Sequence, residues 1–464
     1  MDDRPGALMR RAAFGVSVHA ARMLAEDTGG VSGRRVTLLV GAGNNGGDAL
    51  WAGAYLRRRG VRVDAVLLAP DRAHAEGLAA LRAAGGRVVP ARNNPQAVDN
   101  CDLVIDGIVG LSAHGGLRPA AADLVGRIGA PVLAVDLPSG VDPDTGAVDG
   151  VSVTAKATVT FGAYKPVHVL NPARCGQVHL VDIGLRPELG APDLQRLDAA
   201  DVAAAWPMPG QDDDKYSQGI TGIAAGSSTY PGAAVLATGA AVRATSGMVR
   251  YAGPSADVVR ARWPEVIATG SLADAGRVQA WVVGPGIGTG AGAREALRTV
   301  LGGGVPVCAD ADAVNLLASD PELLDARDPD TPLVLTPHAR EFERLAGAVH
   351  RDRVGAAVAA ARRFNAIVLL KGHCTVVAAP DGRVIVNVPE GSWLATAGSG
   401  DVLSGIIGAL LAARVEPWLA AGAGAYLHAR AADLAACGAP TSASPILDAI
   451  PEAVRGIVVP QRAR

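Results

Sequence analysis

The sequence predicts two α/β domains of roughly equal size, each a parallel sheet with helices on both faces. Three observations predict it. Short apolar runs alternate with Ala-rich helical stretches along the whole chain, the pattern of strands joined by crossover helices. The length of 464 residues suits two or three domains, and 49% apolar residues is ample for packed cores. One break, near 186–218, divides the pattern: Pro187, Pro192, Pro207, Pro209 and the run Asp212-Asp213-Asp214 interrupt it.

In the first half the strands are expected at 35–40 (Arg-Val-Thr-Leu-Leu-Val), 61–68, 102–108, 131–136 and 157–162, with helical patterns at 48–59 and 119–128. Beyond the break a second series runs strand 219–225, helix 232–245, strand 279–283, helix 291–301, strands 305–309 and 333–335, helix 352–364, strands 366–370 and 374–378, and helix 400–413. The boundaries read from this are a first domain over 1–195, a linker over 196–215 and a second domain over 216–464.

Composition excludes several classes of function. Lys+Arg total 43 against 45 Asp+Glu, so net charge −2 gives no reason to expect nucleic acid or an acidic membrane as partner. The five cysteines (Cys101, Cys175, Cys308, Cys374, Cys437) are scattered without a CxxC pair, which fits a reducing cytoplasm better than a disulfide framework or zinc knuckle. The start Met1-Asp2-Asp3-Arg4-Pro5 has no apolar core, so no secretory signal is expected. The longest apolar stretch, near 402–427, is broken by Arg414, Glu416 and Pro417 and is not expected to span a membrane. Only four lysines (Lys156, Lys165, Lys215, Lys371) stand among 39 arginines. That is first a codon bias, but it makes each surviving lysine worth locating.

Strand 35–40 runs into Gly41-Ala42-Gly43-Asn44-Asn45-Gly46-Gly47-Asp48, and a helix follows. Taken literally, Gly41, Gly43 and Gly46 form a dinucleotide fingerprint, with Asp64 at the end of the next strand. Two carboxamides and a carboxylate are unusual in that turn and suit a grip on hydroxyls, an amide or a cation. The plainer reading is a tight turn with Asp48 as helix cap. For the loop alone both readings stand. Two further strand ends tip the balance. Strand 102–108 carries Asp106, followed by Gly110, Gly115 and Gly116, and strand 131–136 ends in Asp136-Leu137-Pro138-Ser139-Gly140-Val141-Asp142. Ligands of parallel sheets sit beyond such carboxyl ends. Asn45, Asp106 and Ser139 offer hard oxygens of the kind an alkali cation uses. Asp136 is placed for general acid or base work, although Asp136 and Asp142 also suit turn capping.

These loops, with Thr160-Phe161-Gly162-Ala163-Tyr164-Lys165, resemble the NAD(P)HX epimerase domain that forms the N-terminal half of bacterial bifunctional NAD(P)HX repair enzymes. The resemblance covers about residues 5–185. It implies a Rossmann-like three-layer sandwich that interconverts the R and S forms of hydrated NAD(P)H. Substrate would be bound by Asn44, Asn45, Gly46, Gly47, Asp48, Gly110 and Gly116. Potassium would be held by Asn45, Asp106 and Ser139, and Asp136 would be catalytic. Three departures stand out: Ala49 where the family has Gly, a 110–116 loop that reads Gly-Leu-Ser-Ala-His-Gly-Gly, and the family's extra N-terminal helix, expected to be shortened here.

The later signal is stronger. Thr396-Ala397-Gly398-Ser399-Gly400-Asp401-Val402-Leu403-Ser404-Gly405 opens a helix. Small residues let an anion approach the free N–H groups and positive dipole end of that helix, and Asp401 is placed to take a proton from a hydroxyl. No GxxxxGK[ST] occurs, so this is not a P-loop. Strand 366–370 ends in Lys371-Gly372-His373-Cys374-Thr375, which suits nucleotide phosphates; Gly284-Pro285-Gly286-Ile287-Gly288 and Thr336-Pro337-His338-Ala339-Arg340-Glu341 supply further loops.

Together with Asp214-Lys215-Tyr216-Ser217-Gln218-Gly219, these are similar to the ADP/ATP-dependent NAD(P)HX dehydratase domain, a ribokinase-like α/β sandwich, over about residues 210–460. The resemblance implies that the hydroxyl of hydrated NAD(P)H is phosphorylated at the nucleotide's expense and that phosphate then leaves. Ala233, Gly286, His338 and Asp401 would contact the hydrated cofactor, with Asp401 catalytic. Lys371, Gly372, His373, Cys374, Thr375 and Gly400 would bind ADP or ATP, and Glu341 would help position magnesium. Here Ala339-Arg340 replaces the usual Pro-Gly before Glu341.

The expectation is therefore a cytoplasmic, homo-oligomeric repair enzyme for NADHX and NADPHX, using ADP or ATP, Mg2+ and K+. The alternatives are a ribokinase-like kinase of a small alcohol with a non-catalytic N-terminal binding domain, and a first domain that binds without turnover. A dehydrogenase is disfavoured, since no separate hydride-transfer site is apparent. Lys165, Lys215 and Lys371 fall in the motifs above, whereas Lys156 has no assigned role.

Overall fold

A computed structural model describes residues 6–91, 95–214, 216–245, 247–389 and 391–458; Lys215 lies outside them. The chain divides at Ala191/Pro192 into two units. The first contains β1 (Arg35–Val40), β2 (Arg62–Leu67), β3 (Arg87–Pro90), β4 (Leu103–Gly107), β5 (Val132–Val135), β6 (Ala157–Phe161) and β7 (Gln177–Val181). They form one all-parallel sheet ordered β3-β2-β1-β4-β5-β6-β7. Its helices are α1 (Ala7–Thr28), α2 (Asn44–Arg57), α3 (Ala75–Ala83), α4 (Pro119–Val125), α5 (Pro166–Leu170) and α6 (Pro172–Cys175).

The central strands are apolar runs buried on both faces, as parallel strands must be. Leu38, Leu50, Leu56 and Leu81 belong to one core with Val16 and Leu24 of α1, and Leu39, Val104 and Leu124 to the other. The strand order reverses between β1 and β4, which opens a crevice beyond their carboxyl ends.

All five expected strands of this half are present to within a residue of their expected ends. The helix expected at 48–59 instead begins at Asn44, because Gly41-Ala42-Gly43 completes the turn and Gly43 is the extended residue before the helix. Asp48 therefore lies inside α2 and is not its cap. Lys156 pairs with Asp27 at the end of α1.

The second unit holds α7 (Ala199–Ala205), β8 (Ile220–Ala224), α8 (Pro231–Ala244), β9 (Met248–Ala252), α9 (Ala256–Arg262), β10 (Ile267–Thr269), β11 (Ala280–Val283), α10 (Ala291–Leu301), β12 (Val307–Ala309) and α11 (Asp312–Ser319). There follow β13 (Leu333–Leu335), α12 (Ala339–Ala346), α13 (Arg353–Phe364), β14 (Ile367–Leu370), β15 (Thr375–Ala378), β16 (Val384–Asn387), α14 (Ser399–Ala412), α15 (Pro417–Ala436) and α16 (Ala443–Val458). The sheet order is β10-β9-β8-β11-β12-β13-β14-β15-β16, parallel except for the antiparallel pairs β14–β15 and β15–β16.

Here the reversal lies between β8 and β11, and α14 packs over those strands against α8. The approach is close because Gly405 faces the backbone of α8: a Cβ there would lie 2.2 Å from the Ala237 carbonyl oxygen. Residues 196–215 carry α7, capped by Asp198, with Val202 and Trp206 buried in the core of this unit. Just ahead of it, Gln195 exchanges backbone hydrogen bonds with Val384 and Val386. Residues 402–427 divide into α14 and α15. Among the described residues no helix is long and apolar enough to cross a membrane.

Candidate active sites

In the first unit three loops converge at the crevice. Asn45, in the first turn of α2, donates its amide to the carbonyls of Val109 (3.0 Å) and Val135 (2.7 Å). Asp106 at the end of β4 is fully buried; it accepts the Ser139 N–H (2.8 Å), the Ser139 hydroxyl (2.7 Å) and the Ile108 N–H (3.2 Å). Burial pushes the Asp106 carboxyl above its ordinary range, and those hydrogen bonds only partly oppose it. Ser139 in turn accepts the Val109 N–H. Asn45, Asp106 and Ser139 therefore meet around Val109. Gly110 stands against them because a Cβ there would come within 2.7 Å of Asn45 Oδ1.

Asp136 follows β5 in the left-handed backbone region, φ 70°, a costly conformation for a non-glycine residue. Its neighbours hold it there. Lys165 donates to its carboxylate at 2.6 Å, Thr160 at 2.8 Å, and His168 Nε2 meets its carbonyl oxygen at 2.8 Å. His168 Nδ1 accepts the Lys165 N–H, so Nε2 carries the proton and donates it. Burial lowers the pKa of His168, consistent with a neutral ring. Asp48 is buried in α2 with Oδ1 unpartnered; burial, reinforced by the charge of Asp136, pushes it up to about 8. Asp142 does serve as a turn residue, accepting the N–H groups of Asp144 and Thr145, and it also pairs with His114 of the 110–116 loop.

In the second unit Asp401 lies in the first turn of α14, after Gly398 at φ 80°. Burial and the charges of Asp310 and Asp312 push it up to about 7 against the pull of Lys371. Lys371 Nζ donates to Asp310 Oδ1 at 2.7 Å, and the Ser404 hydroxyl donates to Asp310 Oδ2 at 2.7 Å. Burial opposes the charge on Lys371, but Asp310, Glu341 and Asp401 outweigh it and hold the ammonium above the ordinary lysine range. Gly400 abuts this pair.

His338 caps α12: its Nδ1 accepts the N–H groups of Arg340 and Glu341, while Glu341 accepts the His338 N–H at 2.8 Å. The Lys371 N–H donates to Pro337, which brings that loop beside β14. Gly286 stands against Ala233 at the β8/β11 reversal. Of the expected nucleotide loop, Gly372 and His373 are exposed, whereas Cys374 and Thr375 are buried. Burial pushes the Cys374 thiol up to about 12, so it is inert as a nucleophile.

Both halves match known family models. Residues 5–167 match the model described as YjeF-related protein N-terminus, and residues 221–451 that of NAD(P)H-hydrate dehydratase. The bifunctional NAD(P)H-hydrate repair enzyme of Mycobacterium leprae is 56% identical over 461 residues, covering 97% of this chain and 95% of that protein. The chain belongs to the bifunctional NAD(P)H-hydrate repair enzymes. The Escherichia coli member is 34% identical over 87% of this chain and 81% of its own length. Among solved structures, the ADP/ATP-dependent NAD(P)H-hydrate dehydratase of Bacillus subtilis, co-crystallized with ATP/Mg2+, is 27% identical with a TM-score of 0.52, covering 57% of this chain and all of that one.

As a bifunctional NAD(P)H-hydrate repair enzyme, the chain pairs an epimerase unit with a nucleotide-dependent dehydratase unit. Its structure gives roles to Thr160 and Ser404, quoted in the motifs without one, and adds His168, Asp310 and Asp312. Thr160 and His168 fix Asp136, and Asp310, Asp312 and Ser404 surround Asp401 and Lys371. Asp310-Ala311-Asp312 follows strand 305–309, so an acid at a strand end was the available signal.

Proposed function

We propose that Asp136 and Asp401 are the catalytic groups of the two units. The carrying observation is that each acid stands beside a partly buried lysine among the strand ends: Lys165 bonds Asp136 after β5, and Lys371 at the end of β14 bonds Asp310 after β12, next to Asp401. In the first unit Asn44–Asp48, Gly110 and Gly116 would line the pocket for R- and S-NAD(P)HX, with Asp136 moving protons at the hydroxyl-bearing ring carbon. In the second unit Ala233, Gly286 and His338 would hold the S form so that Asp401 takes the hydroxyl proton. The N–H groups opening α14 would stabilise the transferring phosphoryl group. Lys371 to Thr375 and Gly400 would bind ADP or ATP.

The donor chemistry fits both expected metals. The hydrogen-bond donors to the Asp106 carboxylate in this buried position are all uncharged, and a potassium ion held by Asn45, Asp106 and Ser139 would balance it. Asp310, Asp312, Glu341 and Asp401 outnumber Lys371, a balance that suits magnesium carried in with the nucleotide; Glu341, already bound to the His338 N–H, would position it. Bound magnesium would supply charge neutralisation on the phosphates. A cytoplasmic homo-oligomer acting on NADHX and NADPHX completes the reading.

The test supplies R- and S-NAD(P)HX separately, with and without nucleotide. Recovery of the reduced-nicotinamide absorbance from S only with nucleotide, and from R only after epimerisation, is expected. No recovery from S with either nucleotide refutes the dehydratase assignment.

A further inference from the structure

The epimerase unit holds a carboxyl, Asp48, whose chemistry the pocket-lining role above leaves unspecified. Asp48 is 6% exposed, and its Oδ1 has no hydrogen-bond partner. A buried carboxyl oxygen without a donor is destabilising unless a ligand completes it. Asp48 stands in the second turn of α2, directly after the carboxamide loop, and the charge that acts on it is that of Asp136. The other titratable groups near this end of α2 are engaged elsewhere. Lys165 bonds Asp136, Asp106 at the end of β4 bonds Ser139 and Ile108, and His74 at the start of α3 accepts the Gly77 N–H. From α1, the apolar Met9 lies over Gly47, and Asp64 of β2 bonds Arg87. Burial and the Asp136 charge keep the Asp48 proton on at neutral pH.

We propose that Asp48 is the general acid of the epimerase reaction and that Asp136, ion-paired to Lys165, is its partner base. The inference rests on the epimerase reading above. Hydration of a dihydronicotinamide places the hydroxyl on the ring carbon bonded to nitrogen. Inverting that carbon requires the hydroxyl to leave and water to return on the other face. Asp48 gives its proton to the hydroxyl oxygen as the C–O bond breaks. The bonding pair departs with oxygen as water, and the ring-nitrogen lone pair forms the C=N bond of an iminium ion. Water then adds to the opposite face; its lone pair makes the new C–O bond, the C=N pair returns to nitrogen, and the surplus proton passes to Asp136. One carboxyl has lost a proton and the other has gained one, and exchange with solvent resets the pair. No oxidant or further reactant is needed.

The test measures R-to-S conversion over the spontaneous background, as kcat and KM against pH, for the wild-type chain, Asp48→Asn and Asp48→Glu. Asp48→Asn should lower kcat by roughly 10²–10⁴-fold with KM little changed, and should abolish the fall in wild-type rate above about pH 8. Asp48→Glu should recover part of the rate and retain an alkaline limb. Thermal melting checks that each variant folds. An active wild type whose Asp48→Asn variant keeps kcat and its alkaline limb overturns the inference and leaves the epimerase reading standing. Equal losses in both variants carried by KM also overturn it. A wild type that does not convert R at all refutes the epimerase reading itself.

Discussion

Replacing Asp310 by alanine strands a charge, and the structure sets the size of the effect. Asp310 has a side-chain exposure of 2% and bonds Lys371 Nζ, whose side chain is 21% exposed. Removing one partner of a buried pair costs about 3–5 kcal/mol, mostly through the charge left behind. Partial access of Lys371 to water places this case near the lower end. Ser404 is not orphaned, because its hydroxyl also donates to the Gly400 carbonyl at 2.9 Å. About 3 kcal/mol in a domain of this size lowers the melting temperature by roughly 6–12 °C. Thermal unfolding of Asp310→Ala, Lys371→Met and the double variant forms a cycle. The double variant should melt above Asp310→Ala, since it removes the stranded ammonium. An Asp310→Ala variant that melts with wild type, or a double variant whose loss is the sum of the two single losses, would show that the pair is not a coupled buried unit. Asp310→Ala should also lose S-form dehydration.

Three further outcomes follow from the same geometry. Asp401 must be ionised to accept a proton, so kcat/KM for S-form dehydration should rise with pH through about 7; Asp310→Asn removes a repelling charge and should move that limb to lower pH, and an unmoved limb would count against the Asp310 influence. Lys371→Arg should raise the KM for nucleotide by about tenfold or more, because a planar guanidinium does not reproduce a compact ammonium, whereas Arg455→Lys on the exposed face of α16 should leave it unchanged. Gly405→Ala should destabilise the second unit by about 1–3 kcal/mol in chemical denaturation, since the new methyl meets the Ala237 carbonyl of α8.

Much of this architecture was readable from residue order alone, for a local reason. A strand such as 35–40 declares itself by its own apolar run, and the loop after it by its own glycines. β10 has three residues with Ile267 exposed, and so lacks the fully buried apolar run that announced β13, and α1 has a weak apolar stripe. The loops bearing Asn45, Asp106, Asp136 and Asp401 were legible for the same local reason, because each acid or amide lies within four residues of a glycine where an apolar run ends or begins. The functional state of those residues was not. Asp310 and Lys371 are 61 positions apart, and nothing near either one announces the other.

His338 shows the same division within one motif. The Thr-Pro-His segment was legible as a loop, but His338 is also the helix cap that takes two backbone N–H groups, with Glu341 closing the box in return. Nδ1 is thereby committed to structure, and Nε2 lies 3.4 Å from Glu341 Oε1, so a substrate that uses this imidazole would share Nε2 with Glu341. The same holds for Lys371. Its position at the end of β14 marks it for phosphate, yet the fold stores its charge against Asp310. On the proposed reading, an incoming nucleotide would compete with a buried carboxylate for that ammonium. Nucleotide binding would then depend on an acid two strands away in the sheet, at the end of β12, as much as on the loop that carries the lysine.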